Sequence, residues 1–215
     1  MQPLEVLSAV YVIYEQSSAA PDPTSDDFAI RLSYLNRGIS KWENETGVDW
    51  KELFVPQYSL SLDANGTVTL PSNFKKPASY LVVGSNRYYY VNPERFEEMV
   101  LQQGQYYYTI TGIKGAFLLK TTPAAASQTA TLDYYKYAWQ SIIGQEAQNI
   151  EMSNPEFLIH DVLGQIYLQD QNMLQAQVEI QVGAGLMDAM IVDNMTNVPN
   201  NPLQETDDDF QGFGI

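Results

Sequence analysis

The sequence predicts an α+β chain: a helical bundle, made of N-terminal helices and a long C-terminal helix, with an inserted small antiparallel β module and an extended C-terminal tail. Apolar residues recur at helical spacing near both ends, alternate with polar residues in the middle third, and give way to acidic residues at the end. We expect a single domain over 1–193, with helices within 4–54 and 155–192 and the β module at about 57–138. An acidic tail over 194–215 follows.

The composition narrows the possible classes of protein. The chain has 215 residues, of which 45% are hydrophobic, enough for a well-packed core. It has no cysteine and one histidine, which excludes disulfides, thiolate metal sites and most zinc sites. The apolar run Leu4–Tyr14 is too short to span a bilayer and contains Glu5, so we expect no membrane association and synthesis in a cytoplasm.

Charge is unevenly distributed along the chain. The 11 basic and 26 acidic residues give a net charge of −15, and every basic residue lies between Arg31 and Lys136. The last 65 residues contain 11 acidic residues and no lysine or arginine. Because such a surface repels phosphate, we do not expect the chain to bind DNA directly.

The N-terminal third predicts two helices. The first covers residues 4–16. Ser25, Asp26 and Asp27 form a typical helix start, with a capping hydroxyl and negative charge in the first turn. The apolar stripe that follows has spacings of four, three, four and three residues: Phe28, Leu32, Leu35, Ile39 and Trp42. These spacings predict an amphipathic helix that ends near Gly47.

The middle third predicts about seven short strands. They cover residues 58–62, 67–70, 79–83, 87–91, 105–111, 116–120 and 129–137. The turn at 63–66 predicts a hairpin of the first two strands, the turn at 84–86 a second hairpin, and the turn at 112–115 joins two more strands. Asn92-Pro93-Glu94 predicts a short helix that runs to about Gln102.

Two tyrosine triplets lie in these strands: Tyr88, Tyr89, Tyr90 and Tyr106, Tyr107, Tyr108. Successive strand residues point to opposite faces, so each triplet places rings on both faces. We interpret these tyrosines as packing and subunit-contact residues. The alternative is a platform for pyranose rings, which would make the chain a tail-associated carbohydrate- or receptor-binding module.

The C-terminal part begins with Asn154-Pro155-Glu156, a helix start signal. The apolar stripe after it predicts a long helix: Ile159, Val162, Leu163, Ile166, Tyr167, Leu174 and Val178. Gly183 and Gly185 are candidates for a break or bend. The tail ends with Phe210, Phe213 and Ile215, which either anchor the chain in a neighbouring subunit or have no such role.

The sequence contains no motif for catalysis, for a metal or for a cofactor, so we expect a non-enzymatic protein. His160, the single imidazole, is either a general base or an exposed or interface residue, and we favour the second because no nucleophile is tied to it by spacing. Asp207-Asp208-Asp209 lacks the spacing of a calcium loop and is better explained as a solvated or partner-facing segment. Glu97 and Glu98 are adjacent on a helix and point apart, which makes them a poor acid/base pair.

Several short motifs occur in a recognisable order: Leu35-Asn-Arg-Gly-Ile39 with Trp42, Trp50-Lys-Glu-Leu-Phe54, Leu70-Pro-Ser-Asn-Phe74, Tyr107-Tyr-Thr-Ile-Thr-Gly112, Thr131-Leu-Asp-Tyr-Tyr-Lys136 and Asn154-Pro-Glu156. In this order they resemble the head-to-tail adaptor proteins of tailed bacteriophages, the neck or head-completion family. The resemblance extends from about residue 25 to about residue 180.

The resemblance implies a structural virion protein of the neck. Such proteins form a ring, usually of twelve copies, beneath the portal protein, with helices beside a small β module and a C-terminal segment that commonly docks on the portal. The ring extends the DNA channel, lets DNA pass without specific binding, and offers a platform for tail or further neck proteins. No catalytic residues are implied. The segment 194–215 departs from the family in being strongly acidic, with aromatic residues at its end.

Overall fold

The structure is a computed structural model that describes residues 1–16, 22–98, 104–144 and 148–196. The chain divides into two compact units. The helical unit comprises Met1–Glu52 and Ala138–Asn201, and the sheet unit is built from Leu53–Tyr137. The helices are α1 (Pro3–Tyr14), α2 (Asp26–Glu43), α3 (Pro93–Phe96), α4 (Glu156–Gln169) and α5 (Met173–Thr196), and a 3-10 turn covers Lys51–Leu53. Of these helices, α3 lies in the sheet unit.

The helical unit confirms the predicted N-terminal helices. The Phe28 amide donates to the Ser25 hydroxyl at 3.1 Å, so Ser25 caps α2 as its position before two aspartates indicates. The predicted stripe of α2 is buried and packs in the core with residues of α1 and α4, among them Val6, Leu7, Val10, Phe157 and Val162. Burial of this stripe, rather than intrinsic helix propensity, stabilises the unit.

The C-terminal helix is not continuous. It is divided into α4 and α5 at Asp170–Asn172, where Gln171 has a φ of 59°. The expected break at Gly183 or Gly185 is absent, because α5 runs through both glycines. Gly183 is buried in α5, and a side chain there would contact Phe157 and His160 of α4. These contacts would be at ordinary van der Waals distance, 3.7 Å to His160 Cβ and 3.9 Å to Phe157 Cδ2, so Gly183 packs α5 against α4 without a steric need for glycine.

The last turn of α5 is an integral part of the helical unit. Asn194 is buried; its amide nitrogen donates to the Asp49 carbonyl at 2.9 Å, and its Oδ1 accepts from the Lys51 amide at 2.9 Å. Lys51 Nζ also lies 2.6 Å from an Asp193 carboxylate oxygen. The helix thus continues to Thr196, past residue 194, where the tail was predicted to begin.

The sheet unit contradicts the predicted helical bundle with a small inserted antiparallel β module. The dominant feature of the chain is a curled, mixed, eight-stranded sheet resembling half a barrel, accompanied by only five helices in the part that the structure describes. The strands are β1 (Phe54–Ser61), β2 (Thr67–Thr69), β3 (Phe74–Pro77), β4 (Leu81–Val83), β5 (Asn86–Tyr90), β6 (Tyr107–Ile113), β7 (Ala116–Thr122) and β8 (Thr129–Lys136). Their order is β1-β8-β4-β5-β6-β7-β2, with β3 paired to the end of β8.

The strand order and the short connection between β1 and β2 explain why the sheet is curled. β1 and β2 stand at opposite ends of the strand order but are joined by residues 62–66 alone. Five residues span at most about 18 Å, so the two edges of the sheet must approach each other. The Asp63 amide indeed donates to the Thr67 carbonyl at 2.9 Å across this connection.

The predicted local pairings had mixed outcomes. The hairpin of β4 with β5 and the antiparallel pair of β6 with β7 are confirmed. The predicted hairpin of the first two strands is wrong, because β1 pairs with β8 and β2 with β7. Two further features were missed: the strand β3, and the parallel pairing of β5 with β6, which makes the sheet mixed.

The chain enters and leaves the sheet at neighbouring points. Phe54, at the start of β1, pairs with Tyr135, near the end of β8. Inside the sheet unit, Phe74 packs against the rings of Phe117 and Tyr134, with centroids 5.6 and 5.4 Å apart. These rings belong to a core that includes Leu60, Leu70, Leu81, Tyr88, Tyr108, Leu119 and Leu132.

None of the helices in the described ranges has both the length and the apolar character that a membrane crossing requires.

Candidate functional surfaces

The motif that carries the resemblance in α2 has a structural role at each position. Leu35 and Ile39 are buried in the helical core. Asn36 clamps the chain after the sheet, since its Nδ2 donates to the Ser141 carbonyl at 2.6 Å and its Oδ1 accepts from the Ser141 amide at 2.8 Å. Gly38 allows α4 to approach, because a Cβ there would lie 2.9 Å from Leu158 Cδ2. The motif thus specifies packing.

The two tryptophans of the resemblance form a buried pair in the same unit. Their ring centroids are 5.2 Å apart, and Trp50 Nε1 donates to the Trp42 carbonyl at 2.6 Å. The pair fixes the chain where it turns after α2. The aromatic residues therefore supply core packing at these positions.

A cleft of about 240 Å³ lies between α2, α4 and α5. Its polar rim is an interconnected network: Lys41 Nζ lies 3.2 Å from Asp161 Oδ1, and Asp161 Oδ2 accepts from Gln165 Nε2 at 2.7 Å. Arg37 Nη1 donates to Gln165 Oε1 at 3.2 Å. Both cations are thus engaged by side chains of α4, and the network ties α2 to α4.

His160 links the two C-terminal helices. Its Nδ1 lies 2.6 Å from Oε2 of Glu179, so the histidine of α4 bonds a carboxylate of α5. The pair can exchange a proton, as a general base requires, but it can equally serve as a tie between helices. His160 is thus bonded within the helical unit, and both interpretations, a general base and an exposed or interface residue, stay predictions.

Acidic clusters do not assemble into a metal site in the described part of the chain, where no group of three or more His, Cys, Asp or Glu side chains is placed to hold an ion. Glu97 pairs with Lys120 at 2.8 Å on the sheet unit. Asp207–Asp209 lie outside the described residues, as do the proposed anchors Phe210, Phe213 and Ile215.

The two tyrosine triplets lie side by side on parallel strands. Tyr89 pairs with Tyr107 and Tyr90 with Tyr108, and the Tyr90 and Tyr108 ring centroids are 5.6 Å apart. Tyr88 and Tyr108 are buried, and burial raises the pKa of Tyr108 far above its usual value. The Tyr108 hydroxyl donates to the Ser79 carbonyl at 2.9 Å. These two tyrosines therefore belong to the core.

Tyr89 faces outward and is the most exposed of the six, at 56%. Its ring lies 6.4 Å from that of Tyr80, and Arg87 stands over Tyr80 with its Cζ 4.6 Å from the ring centroid. This outward ladder of two rings and a guanidinium is a part of the tyrosine-rich strands that a ligand can reach, as is Tyr90, which is 46% exposed. The triplets thus separate into core and surface residues, which the sequence alone did not distinguish.

Two surfaces were missed from the sequence. One is the outer face of α5, which includes the exposed residues Leu174, Val178 and Val192. The other is a group of lysines around Tyr135 and Tyr137 at one end of the sheet. A sequence signal existed for the first: α5 has apolar residues on every side and no basic residue. The second had none, because its lysines converge only through strand pairing.

No protein-family model matches the chain, and no curated protein is significantly similar to it.

Proposed function

We propose that the chain is a non-enzymatic structural subunit of a tailed-phage neck, forming a ring that joins the portal to the tail and extends the DNA channel. One observation carries the assembly part of this proposal. The outer face of α5 is exposed, apolar and free of charge: Leu174, Val178, Val182, Gly185, Ala189 and Val192. Leu174 is 73% exposed and Val192 60%. An apolar stripe of this length is typical of a protein–protein contact.

The opposite side of α5 is already occupied. It packs in the helical unit through Ala176, Gly183, Met187, Met190 and Asn194. The helix is therefore apolar on two opposite sides, a pattern typical of helices that are covered on both. Since only one side is covered within the described chain, the exposed side supports a contact with a partner.

The charge distribution favours a second copy as that partner. The helical unit has 17 acidic and four basic residues, a net charge of −13, whereas Leu53–Tyr137 has five acidic and seven basic residues, a net charge of +2. Two helical units repel each other, so a contact between the helical unit of one copy and the segment Leu53–Tyr137 of another is electrostatically the more favourable arrangement. Such a head-to-tail contact, repeated by rotation, closes into a ring. The resemblance supplies the number of twelve, the portal and tail partners, and the virion location.

The assembly can be tested with one pair of variants. Val192→Glu introduces a charge in the outer face of α5, and Gln177→Glu introduces the same charge on an exposed part of the helix outside that face. In native mass spectrometry at high concentration and in electron micrographs of particles, we expect Val192→Glu to lose the closed oligomer and Gln177→Glu to keep it. A closed ring that survives Val192→Glu, or absence of the chain from particles, would refute the proposal.

The second candidate function, a tail-associated carbohydrate-binding module, is favoured by the outward Tyr80–Tyr89–Arg87 ladder. Stacking on a sugar requires exposed rings, so Tyr89→Ala is the informative variant, whereas Tyr88→Ala opens a core cavity. Micromolar binding on a glycan array that Tyr89→Ala removes would favour this function over the ring. His160→Ala should leave particle assembly intact under both proposals.

A further inference from the structure

A basic and aromatic surface lies at one end of the sheet unit. Lys75 Nζ and Lys114 Nζ lie 5.9 and 3.9 Å from the ring centroid of Tyr137, and Lys76 Nζ lies 5.3 Å from that of Tyr135. These five residues are the lysine–tyrosine surface. Three ammonium groups thus gather over two rings, within the range of cation–π attraction.

The strand order assembles this surface from distant parts of the sequence. β3 brings Lys76 opposite Tyr135 of β8, with an irregular register between Phe74 and Lys76. Lys114 stands in the turn between β6 and β7. Charges that are far apart along the chain therefore meet on one surface, which raises the local positive potential.

Apolar side chains border the lysines. The Phe54 ring lies 5.5 Å from the Tyr135 ring, and Ile113, next to Lys114, is 75% exposed. A surface that combines ammonium groups with exposed aromatic and aliphatic groups is complementary to a ligand with carboxylates and apolar side chains. A short acidic and aromatic peptide has this chemistry.

The chain itself contains such a peptide. Residues 205–215 include Glu205 and Asp207–Asp209, followed by Phe210, Phe213 and Ile215, without a single basic residue. We propose that the lysine–tyrosine surface is the docking site for this chain's own segment 205–215. The carboxylates pair with the lysines, and the phenylalanines contact the border formed by Phe54 and Ile113.

Tethering favours this occupant over a free polyanion. Residues 197–215 follow the end of α5, and 19 extended residues reach roughly 65 Å. A tethered segment acts at an effective concentration in the millimolar range. A nucleic acid has to approach a chain with a net charge of −15, which repels it. The inference is independent of the neck assignment, since it concerns only two parts of this chain.

The site can be mapped by photocross-linking in the full-length chain. A benzophenone amino acid replaces Phe213, and the cross-linked peptides are identified by mass spectrometry. We expect the products to contain residues 75–76, 113–114 or 135–137, and their yield to fall several-fold when the salt concentration rises from about 50 to 500 mM, because screening weakens the ion pairs. Cross-links only to other parts of the chain, or none, would overturn the proposal.

A charge exchange tests the chemistry of the contact. Lys75→Glu with Lys114→Glu, and separately Asp207→Lys with Asp209→Lys, should each reduce the cross-link about tenfold, and the four changes together should restore at least half of it. The matched control is Lys120→Glu, because Lys120 is a lysine of the same sheet that lies outside the lysine–tyrosine surface, beside Glu97. An equal loss in Lys120→Glu, or no recovery in the combined variant, would contradict the proposed pairing; circular dichroism verifies folding in each case.

Two additions identify the source of the ligand. In a mixture of ¹⁵N-labelled and unlabelled chains, cross-links that join the two kinds of chain show docking on a neighbouring copy, and cross-links within one kind only show docking on the same copy; both results support the site. A DNA duplex that abolishes the cross-link at equimolar concentration would instead identify a polyanion site and overturn the proposal.

Discussion

At Gly66 the backbone has a φ of 73°, and the turn into β2 leaves no room for a side chain. A Cβ would lie 2.5 Å from Thr121 Oγ1 and 2.8 Å from the Ala125 amide nitrogen. Thr121 is not free to move away, because its Oγ1 donates to the Gly66 carbonyl and accepts from the Ala125 amide. Steric exclusion and backbone conformation therefore act together at this residue.

We expect Gly66→Ala to lower the free energy of unfolding by about 3 kcal/mol or more, from left-handed backbone strain and overpacking combined. Gly84→Ala is the matched control, because Gly84 also has a positive φ, of 59°, but has open space at its Cβ position. It should cost only about 1 kcal/mol. Urea unfolding followed by circular dichroism measures both, and equal losses would show that the contacts at Gly66 are unimportant.

Two tyrosines of α1 predict a dependence on alkaline pH. Burial, together with a hydrogen bond to Asp27, raises the pKa of Tyr11 from 10.0 to about 12. A hydrogen bond to Asp170, with burial second, raises the pKa of Tyr14 to about 12 as well. The folded state favours the neutral phenols, so their contribution is complete below pH 10 and is lost as the pH rises from about 10 to 12.

The corresponding experiment compares the wild type with the double variant Tyr11→Phe, Tyr14→Phe. Between about pH 10 and 12 the free energy of unfolding of the wild type should fall more steeply with pH, because the variant has no phenols to ionise at these positions. The slopes come from urea unfolding at several pH values. Identical slopes would show that the two hydroxyls ionise equally easily in the folded and unfolded chains.

At the scale of the elements, the C-terminal end of α5 is held by specific hydrogen bonds. Asn194 accepts a hydrogen bond from the Lys51 amide and donates one to the Asp49 carbonyl. The last turn of α5 is thus bonded to the segment that follows α2. A chain that ends at Thr196 should therefore keep the stability of the full-length helical unit, whereas one that ends at Asp193 should lose about 2–3 kcal/mol with the two hydrogen bonds. Thermal unfolding of the two truncated chains tests this, and equal stabilities would contradict the role of Asn194.

Elements defined by local signals could be predicted from the sequence. The cap at Ser25 and the apolar stripe from Phe28 to Trp42 located α2, and short turns located the β4–β5 hairpin. These features depend on neighbours a few residues away, so a periodicity of apolar residues is enough to reveal them. The same reasoning failed where the partner is distant.

The first two strands show why. A turn between two alternating segments predicts a hairpin, yet β1 pairs with β8, which follows it by more than sixty residues. Strand alternation defines which face is buried but does not identify the partner strand. For the same reason, the positions of Lys76 and Lys114 beside Tyr135 and Tyr137 could not be predicted from the sequence.

On the scale of the whole molecule, charge and fold are segregated in the same way. The segments of the helical unit carry −13 and Leu53–Tyr137 carries +2, so the weakly basic part is the sheet. Such an arrangement is compatible with the proposed ring subunit, which would have to attract its neighbours and still release DNA. At low salt the net charge of the chain is only weakly screened. Its repulsion of DNA phosphates therefore dominates at long range.

We therefore expect the full-length chain to leave the electrophoretic mobility of a short DNA duplex unchanged at about 50 mM salt, a condition that strengthens any phosphate contact. A shifted band would contradict this expectation. If Lys75→Glu then removed the shift, the lysine–tyrosine surface would be identified as the contact, and the proposed peptide ligand would have to be abandoned.

The pairing of Phe54 with Tyr135 has a consequence for how such a chain can evolve. Residues paired across antiparallel strands have Cα atoms only about 5 Å apart, so the whole sheet is spliced into the helical framework through two adjacent strands. A gap of that width can be bridged by a tight turn as easily as by eighty residues. Natural recombination can thus exchange, enlarge or remove the sheet while the packing among the helices is retained.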